Sequence, residues 1–333
     1  MRKSLTAALM LIVGLTATAA DEPMEEITVA GVYPGPGMWQ VTHPEHPGHT
    51  LWIVGNPPLL PKGMHFRSQQ VARVASLSQE ILMEPGASLK PDEKVGVFRM
   101  LTLVPAALRL RKSPDKATLQ ELIPPDTYAR WLVQKKLYLG HDSGVEKMRP
   151  FLAAEKLRDA AIKELQLGQG GYWGEVWELV QKKKTPVTNP VLEFTFKTDE
   201  LRGQLKAFSH EKLADEECFA RTVELTEALS NKQVEDARAR AWATGDLAKL
   251  QELPPLPDAE SACDQAIVNA LAMTTPVPAD LRKKMDELWF SAATNAMTKN
   301  ESTLAFVPMS SLLGEQGYLE GLRKRGYEIL APG

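Results

Sequence analysis

A histidine-rich turn is the first part of the sequence that suggests chemistry. His43, His46 and His49 occupy every third position of the segment HPEHPGH. Imidazole groups at such spacing can bind zinc or copper. Two prolines and a glycine place the segment in a turn, where three ligands are not pre-oriented as they are on one face of a helix. The alternative is a solvated hairpin tip without a metal.

A glutamate at the end of an apolar segment is the second candidate. EILME (80–84) is short and apolar and is followed by Pro85-Gly86, which predicts a buried strand that ends at Glu84. Sheets of α/β proteins carry their chemistry at the carboxyl ends of strands, and a buried acid needs a metal ion or another cation as a partner. The alternative is a capped or surface-facing glutamate in a turn.

The familiar catalytic signatures are absent from the sequence. No H-E-x-x-H, G-x-S-x-G or P-loop pattern occurs, and His65, His141 and His210 stand alone. The glycines of GQGGYWG (168–174) lie between two helical segments without a preceding strand, so they predict a helix end and a turn. The tryptophans are most simply explained as core residues.

Composition limits the classes of function. The chain has 333 residues, 44% of them hydrophobic and 24% charged, which is typical of a globular protein. Lysine and arginine number 39 against 42 aspartates and glutamates, a net charge of −3. There is no basic excess to hold a nucleic acid backbone. Two cysteines are too few for a disulfide-rich miniature fold or a four-cysteine zinc site.

The first twenty residues have the pattern of a secretory signal peptide. Arg2 and Lys3 precede an apolar run from Leu5 to Leu15, and Ala17-Thr18-Ala19 offers a cleavage site. The run is shorter than the roughly 20 apolar residues of a transmembrane helix, and no other segment is long and apolar enough to span a bilayer. Cleavage removes two positive charges, which changes the net charge from −3 to −5. The sequence therefore predicts a periplasmic or secreted protein.

Export changes the interpretation of the two cysteines. Cys218 and Cys263 allow only one pairing, and both fall in helical patterns that a helical hairpin would bring together. Secreted proteins rarely keep free thiols, which favours a disulfide. Two free, buried thiols are the alternative.

Strand patterns lie near the two ends of the chain and helical patterns lie between them. Such an order predicts an α/β (mixed α+β) fold whose central sheet combines N- and C-terminal strands. Strands are predicted at 27–54, 80–84, 186–196, 302–307 and 327–330. Helices are predicted at 66–79, 94–112, 149–167, 173–184, within 199–250, and at 258–273, 278–299 and 317–325.

Five segments together resemble the TraB/GumN family, which is related to the Tiki proteases. They are GMWQVTHPEHPGHTLWIVGNPPLLPKG (37–63), QEILME (79–84), MRPFLAAEKLRDAAIKELQL (148–167), ARAWATGDLAKLQEL (239–253) and FVPMSSLLGEQGYLEGLRKRGYEIL (306–330). The last is the most specific, and Cys218 and Cys263 also suit GumN-like members. The resemblance implies a single domain over 21–333 with a helical middle section at about 94–299.

The resemblance also implies a site, and this sequence departs from it. Active Tiki-like members are thought to be metal-dependent hydrolases that use two G-x-x-H motifs and the strand-end glutamate. The first motif is Gly55-Asn56-Pro57-Pro58 here, with proline in place of histidine, and the second is Pro308-Met309-Ser310-Ser311, with serine in place of histidine. Only Glu84 remains. A catalytic divalent site needs about three protein ligands, and without a metal ion no activated water forms.

The sequence thus predicts an exported, catalytically inactive relative of these hydrolases. We expect it to act as a binding or accessory protein in the bacterial envelope, with a protein or peptide ligand and no cofactor. One alternative is a hydrolase that binds manganese, cobalt or zinc at a relocated site, where Glu84 is joined by His65 or by His43, His46 or His49. Another is a metal-free hydrolase with Ser310 or Ser311 as nucleophile, for which no base is recognisable.

Overall fold

The structure is a computed structural model that describes most of the chain. The described residues are 33, 35–57, 59–67, 69–92, 110–168, 173–197, 201–272, 277–278, 280–314 and 316–332. The predicted signal peptide, Pro58, and most of the predicted strand at 27–33 and of the predicted helix at 94–112 lie outside them.

Strands and helices alternate in a mixed α/β order, as predicted. The strands are β1 (Met38–Thr42), β2 (Thr50–Asn56), β3 (Leu60–Pro61), β4 (Glu80–Met83), β5 (Gly86–Pro91), β6 (Leu167–Gly168), β7 (Val187–Thr188), β8 (Val191–Phe196), β9 (Ser302–Pro308) and β10 (Glu328–Leu330). The helices are α1 (Gln69–Leu77), α2 (Leu119–Leu122), α3 (Pro125–Tyr138), α4 (Pro150–Glu164), α5 (Gly174–Lys183), α6 (Leu201–His210), α7 (Glu216–Leu229), α8 (Lys232–Thr244), α9 (Leu247–Glu252), α10 (Ala259–Ala272), α11 (Leu281–Lys299), α12 (Met309–Leu312) and α13 (Tyr318–Arg323).

A six-stranded sheet joins the two ends of the chain. Its strand order is β10-β1-β2-β9-β4-β7. β9 lies in the middle and pairs in parallel with both β2 and β4, while β1 runs antiparallel to β2 and β10. The prediction that N- and C-terminal strands build one sheet is therefore confirmed.

Two apolar layers cover the sheet. The five inner residues of β9 form a continuous buried run, and those of β2 are buried except for the half-buried Trp52, which is typical of strands covered on both faces. One face packs on α11 and α13 through Trp39, Leu51, Ile53, Trp289 and Leu322. The other face packs on α1, α5 and α8 through Val54, Ile81, Trp173, Trp242 and Phe306. Helices on both faces of a mostly parallel sheet give a three-layer architecture.

A third core lies within the helical part of the chain. It gathers buried side chains of α2, α3, α4 and α7, among them Trp131 and Phe219, whose ring centroids are 5.0 Å apart. The expectation that most tryptophans are core residues is confirmed, because five of the seven are buried: Trp39, Trp131, Trp173, Trp242 and Trp289.

The predicted strand at 186–196 is two strands, which corrects that prediction. Pro190 interrupts the predicted strand, because proline has no N–H group to donate to a neighbouring strand. Pro85-Gly86 interrupts the neighbouring segment at the same level. β7 joins the central sheet beside β4. Beyond the break, β8 pairs in parallel with β5 from Gly86↔Val191 to Pro91↔Phe196 as a separate two-stranded ribbon. None of the described helices combines the length and apolar composition that crossing a bilayer requires.

The central position of β2 makes a first prediction possible. Ile53 is completely buried and Leu330, at the end of the edge strand β10, is 67% exposed. Ile53→Ala should lower the free energy of unfolding by about 2–5 kcal/mol, because it removes buried methyl groups and leaves a cavity. Leu330→Ala is the control and should change it little. Urea unfolding followed by circular dichroism measures both, and equal effects would contradict the assigned core.

Candidate functional site

A cleft opens at the carboxyl ends of β2, β4 and β9. It contains two adjoining cavities of about 560 Å³ and 500 Å³. Glu84, Glu260, Asp264, Pro308 and Ser310 line both of them, so the two cavities share a boundary. This edge of a sheet is where α/β proteins bind their ligands. The cleft is therefore the candidate site.

Two tryptophans hold the end of β2 at the floor of the cleft. Trp242 donates from Nε1 to the carbonyl oxygen of Gly55 at 2.7 Å, and Trp173 donates from Nε1 to Oδ1 of Asn56 at 3.0 Å. Both indoles are buried in the core below the sheet. These bonds satisfy polar groups at the strand end, where the ladder stops, and they fix the floor.

Gly55 is the position where α12 comes closest to the floor. A Cβ atom on this glycine would lie 2.8 Å from Sδ and Cε of Met309 and 2.9 Å from Cδ1 of Leu312. Such distances are shorter than van der Waals contact, so a larger residue would force the side chains of Met309 and Leu312 to move. The first residue of the degenerate motif therefore has a packing role that does not depend on catalysis.

A disulfide holds the opposite wall. Cys218 of α7 and Cys263 of α10 are bonded, which confirms that prediction, and both line the larger cavity. The buried side chains of α10 for which burial is described are the alanines Ala259, Ala266 and Ala270. Since alanines bury little area, the covalent bond is a major restraint on where α10 lies.

The bonded helix carries two acids into the cleft. Glu260 and Asp264 are four residues apart on α10, so they share a face with Cys263. Glu84 lines the same cavities, but the strand ends one residue earlier than predicted, at Met83, and Glu84 is exposed, as in the surface-facing alternative. The pKa values of all three carboxyls are raised, first by removal of water and then by neighbouring acids, for Glu84 by Glu260 and for Glu260 by Asp264. The cleft therefore holds a group of carboxylates that repel one another.

Arg282 is the cation nearest to this group. Its positive charge lowers the pKa of Glu84, Glu260 and Asp264, which opposes the effect of burial. The guanidinium donates from Nη2 to Oγ of Ser311 at 3.1 Å, and its Nε lies 3.4 Å from Oδ1 of Asp286. An arginine thus connects α11 to the second degenerate motif.

Tyr318 supports the acid that holds Arg282. Its hydroxyl donates to Oδ1 of Asp286 at 2.9 Å, and its ring stacks on Trp289 with centroids 4.3 Å apart. Burial and the negative charge of Asp286 raise the pKa of Tyr318 well above its usual value, so it stays a neutral donor. Asp286, the partner of Arg282, is therefore held by a packed tyrosine behind it.

The degenerate motif residues meet at the cleft. Asn56 and Pro57 on one side and Pro308, Ser310 and Ser311 on the other line it. Pro58 lies outside the described residues. The parallel register Gly55↔Val307 and Asn56↔Pro308 brings the two motif segments side by side at the end of the sheet.

These residues do not fit a divalent metal ion of the kind that the resemblance implies. The side chain of Pro308 offers no donor atom, and Oγ of Ser311 already accepts a hydrogen bond from a cation. A second positive charge beside that guanidinium would be repelled. In the part of the chain that the structure describes, no group of three or more histidine, cysteine, aspartate or glutamate side chains is placed to hold a metal ion.

The three clustered histidines lie at the other end of the sheet. They precede β2, whose first residue Thr50 pairs with Ser302, whereas Glu84 follows Met83, which pairs with Phe306. Nδ1 of His49 is hydrogen-bonded to the carbonyl oxygen of Met297 at 2.6 Å. The structure therefore separates His43, His46 and His49 from Glu84 by the length of the strands.

His65 and the serines also lack the partners that their proposed roles need. His65 is exposed in the segment before α1, and its carbonyl oxygen accepts a hydrogen bond from Tyr33, without a described contact to Glu84. The hydrogen bond to Ser311 comes from Arg282, which cannot accept a proton from the hydroxyl. No base is described within hydrogen-bond distance of Ser310.

Sequence reasoning missed Glu260, Asp264 and Arg282. The sequence contains a weak signal for Glu260 and Asp264. In the predicted helix, ESACD (260–264) places Asp264 next to Cys263 and Glu260 three residues before Cys263. Once the disulfide is assumed, that helix face must lie against α7 and near the cleft. Arg282 gives no such signal, since it begins a helix that is rich in charged residues.

Comparison with known proteins gives a family match that covers most of the chain. The model of the TraB/PrgY/gumN family matches residues 37–331. No curated protein and no solved structure matches the chain.

The raised carboxyl pKa values predict how stability depends on pH. Because folded Glu260 and Asp264 hold their protons more tightly than the unfolded chain does, their ionisation opposes folding at neutral pH. This cost falls as the pH drops from the folded pKa values towards those of the unfolded chain, and it vanishes once both states are protonated. The double variant Glu260→Gln, Asp264→Asn should melt at a higher temperature than the wild type at about pH 7, and the gap should shrink by about pH 4. Scanning calorimetry at both pH values measures it. A variant that melts lower at neutral pH would contradict this.

The disulfide predicts a loss of stability on its removal. The bond closes a loop with a sequence separation of 45 residues. Replacing both cysteines, Cys218→Ser with Cys263→Ser, should lower the free energy of unfolding by about 4 kcal/mol, because the unfolded chain regains the entropy of the open loop. Urea unfolding measures it, with reduced wild type as the control. The reduced wild type and the variant should agree, and a midpoint equal to that of the oxidised wild type would contradict the prediction.

Proposed function

The chain belongs to the TraB/PrgY/gumN family, and from that premise we propose that it is an exported member that binds a ligand in its cleft instead of hydrolysing one at a metal ion. The ligand is a protein or peptide of the bacterial envelope. The protein acts there as a binding or accessory component.

The hydrogen bond between Arg282 and Ser311 carries the proposal. It places a permanent positive charge at the second motif position, where the resemblance implies a metal-binding histidine. Arginine keeps its charge throughout the physiological range. A guanidinium in this place offsets part of the negative charge of the carboxylates and opposes the entry of a divalent cation beside Ser311.

Retention of the cleft is the second support. Each cavity falls within the roughly 300–1,000 Å³ that is usual for ligand sites. The larger one combines the carboxylates with apolar side chains, among them Leu59, Phe151, Ile162, Trp173 and Ile267. A site without activated water but with this mixture of surfaces is suited to binding.

Export is supported by the pattern of residues 1–20 and by the disulfide. Disulfides persist in oxidising compartments such as the periplasm, and they are rare in reducing ones. A net charge of −3 gives no reason to expect a nucleic acid as the partner.

A metal-dependent hydrolase with a site relocated around Glu84 is the second candidate. One observation favours it: Glu260 and Asp264 bring further carboxylates to the cavities that Glu84 lines. Oxygen ligands of this type suit manganese better than zinc. The sequence-based version of this hypothesis relied on histidines, and the structure provides acids in their place.

Metal content separates the two candidates. We expect the wild type to retain no manganese, cobalt or zinc after incubation and desalting, because Arg282 supplies the positive charge in the cleft. Elemental analysis by mass spectrometry measures it, with Glu84→Ala as the matched variant.

Near-stoichiometric metal in the wild type that disappears in Glu84→Ala would overturn the proposal in favour of the hydrolase. Peptide hydrolysis by the wild type that is lost in Glu84→Gln would do the same. Metal that is retained equally by both proteins lies outside the cleft and leaves the proposal in place.

A further inference from the structure

The ribbon of β5 and β8 has an open edge beside the cleft. Along the chain, β5 follows β4 after a break of two residues, and β8 follows β7 after a similar break. The pair of β5 and β8 therefore extends the pair of β4 and β7 beyond the central sheet. The other neighbour of β4 is β9, which ends at Pro308, where the chain turns into α12. Among the described residues, no strand pairs with β5 on the side where β9 would continue.

Backbone groups of β5 face this open edge. In a parallel pair, alternate residues direct their N–H and C=O groups to the same neighbour. The N–H of Gly86 donates to the carbonyl of Pro190 at 2.9 Å, so the even-numbered residues of β5 face β8. Ala87 and Leu89 therefore turn their N–H and C=O groups to the other edge. Both residues are exposed, and Pro91, which has no N–H, ends the available stretch.

The open edge adjoins the acidic part of the cleft. Gly86, Pro308 and Ser310 line the smaller cavity together with Glu84 and Glu260. A chain laid beside β5, in the line of β9, would therefore pass next to these carboxylates. Its side chains would alternate in direction, as in any strand, so every second one would be on the same face.

Charge in the cleft favours a basic partner. Among the residues that the structure describes, five carboxylates line the two cavities against two guanidinium groups, namely Glu84, Glu155, Asp258, Glu260 and Asp264 against Arg158 and Arg282. Arg282 is already bonded to Ser311 and paired with Asp286. A further positive charge would therefore relieve repulsion between the acids.

We propose that the ligand is an extended peptide with basic side chains, and that it adds to β5 as a parallel or antiparallel strand. Its backbone pairs with Ala87 and Leu89, and a lysine or arginine side chain reaches Glu84, Glu260 and Asp264. Apolar side chains of the peptide occupy the larger cavity against Ile162 and Ile267. This inference rests on the proposed binding function and gives the chemistry of the ligand.

Three synthetic peptides test the backbone and charge requirements separately. The probe is a fluorescein-labelled hexapeptide of alternating valine and arginine. The first control replaces each arginine by glutamate, and the second keeps the side chains but is N-methylated at every residue. Fluorescence anisotropy with the full oxidised protein measures the affinities. Both controls should bind at least about tenfold more weakly, since one lacks the charge pairs and the other lacks N–H donors.

Variants of the protein test the same two contacts. Leu89→Pro removes the N–H from the open edge without removing a bond to β8, and it should weaken binding of the valine–arginine peptide about tenfold. Leu89→Ala removes only the side chain and is its matched control. Glu260→Gln should weaken binding as well, whereas Glu252→Gln, on the exposed surface of α9, should not. Circular dichroism checks that each variant keeps the secondary structure of the wild type.

The results test strand addition and the requirement for basic side chains separately. Equal binding of the N-methylated peptide, or no effect of Leu89→Pro, would overturn strand addition. Equal binding of the glutamate peptide would overturn the requirement for basic side chains. No binding of any peptide to the wild type would overturn the inference as a whole. The proposed function is judged independently by metal content and hydrolysis, so the two can fail separately.

Discussion

The parallel pairing of β2 with β9 is the interaction on which the remaining structure depends. It joins Thr50 to Ser302 at one end and Asn56 to Pro308 at the other. Because β9 also pairs with β4, this one strand joins three parts of the chain that are far apart in sequence. Both apolar layers pack on it, and both degenerate motifs end beside each other because of its register. The cleft is a direct consequence of that register.

The chemistry of the cleft is governed by charge. Glu84, just after β4, and the carboxylates of α10 face each other across it, and among the described lining residues only Arg158 and Arg282 oppose them. In a metal-dependent relative a bound ion would neutralise such acids. Under the proposed function the guanidinium of Arg282 has that role; it is paired with Asp286, which accepts a hydrogen bond from Tyr318. A guanidinium cannot activate water as a metal ion does, and in this proposal the remaining negative charge attracts the ligand.

Local sequence patterns predicted individual strands and the pairing of the two cysteines. The apolar runs at 80–83 and 302–307 predicted strands, and the cysteine count allowed only one pairing. The family resemblance predicted that the residues at 55–58, 84 and 308–311 belong to one site. Glu260 and Arg282 were missed because they lie on helices that reach the cleft only through tertiary packing. The division of the strand at Pro190 was missed because its cause lies partly in the neighbouring strand, where Pro85 breaks the chain at the same level.

The late position of β9 has a consequence for biosynthesis. The ribosome synthesises β2 and β4 long before β9, the strand that pairs with both. The edges of β2 and β4 that pair with β9 therefore stay unpaired while more than half of the polypeptide remains to be synthesised. Unpaired edges of this kind are sites of aggregation, and contacts between distant segments form slowly. A nascent chain of this topology therefore exposes these edges until residues 302–308 are made, and a premature stop codon before residue 302 would leave a product that cannot complete its core.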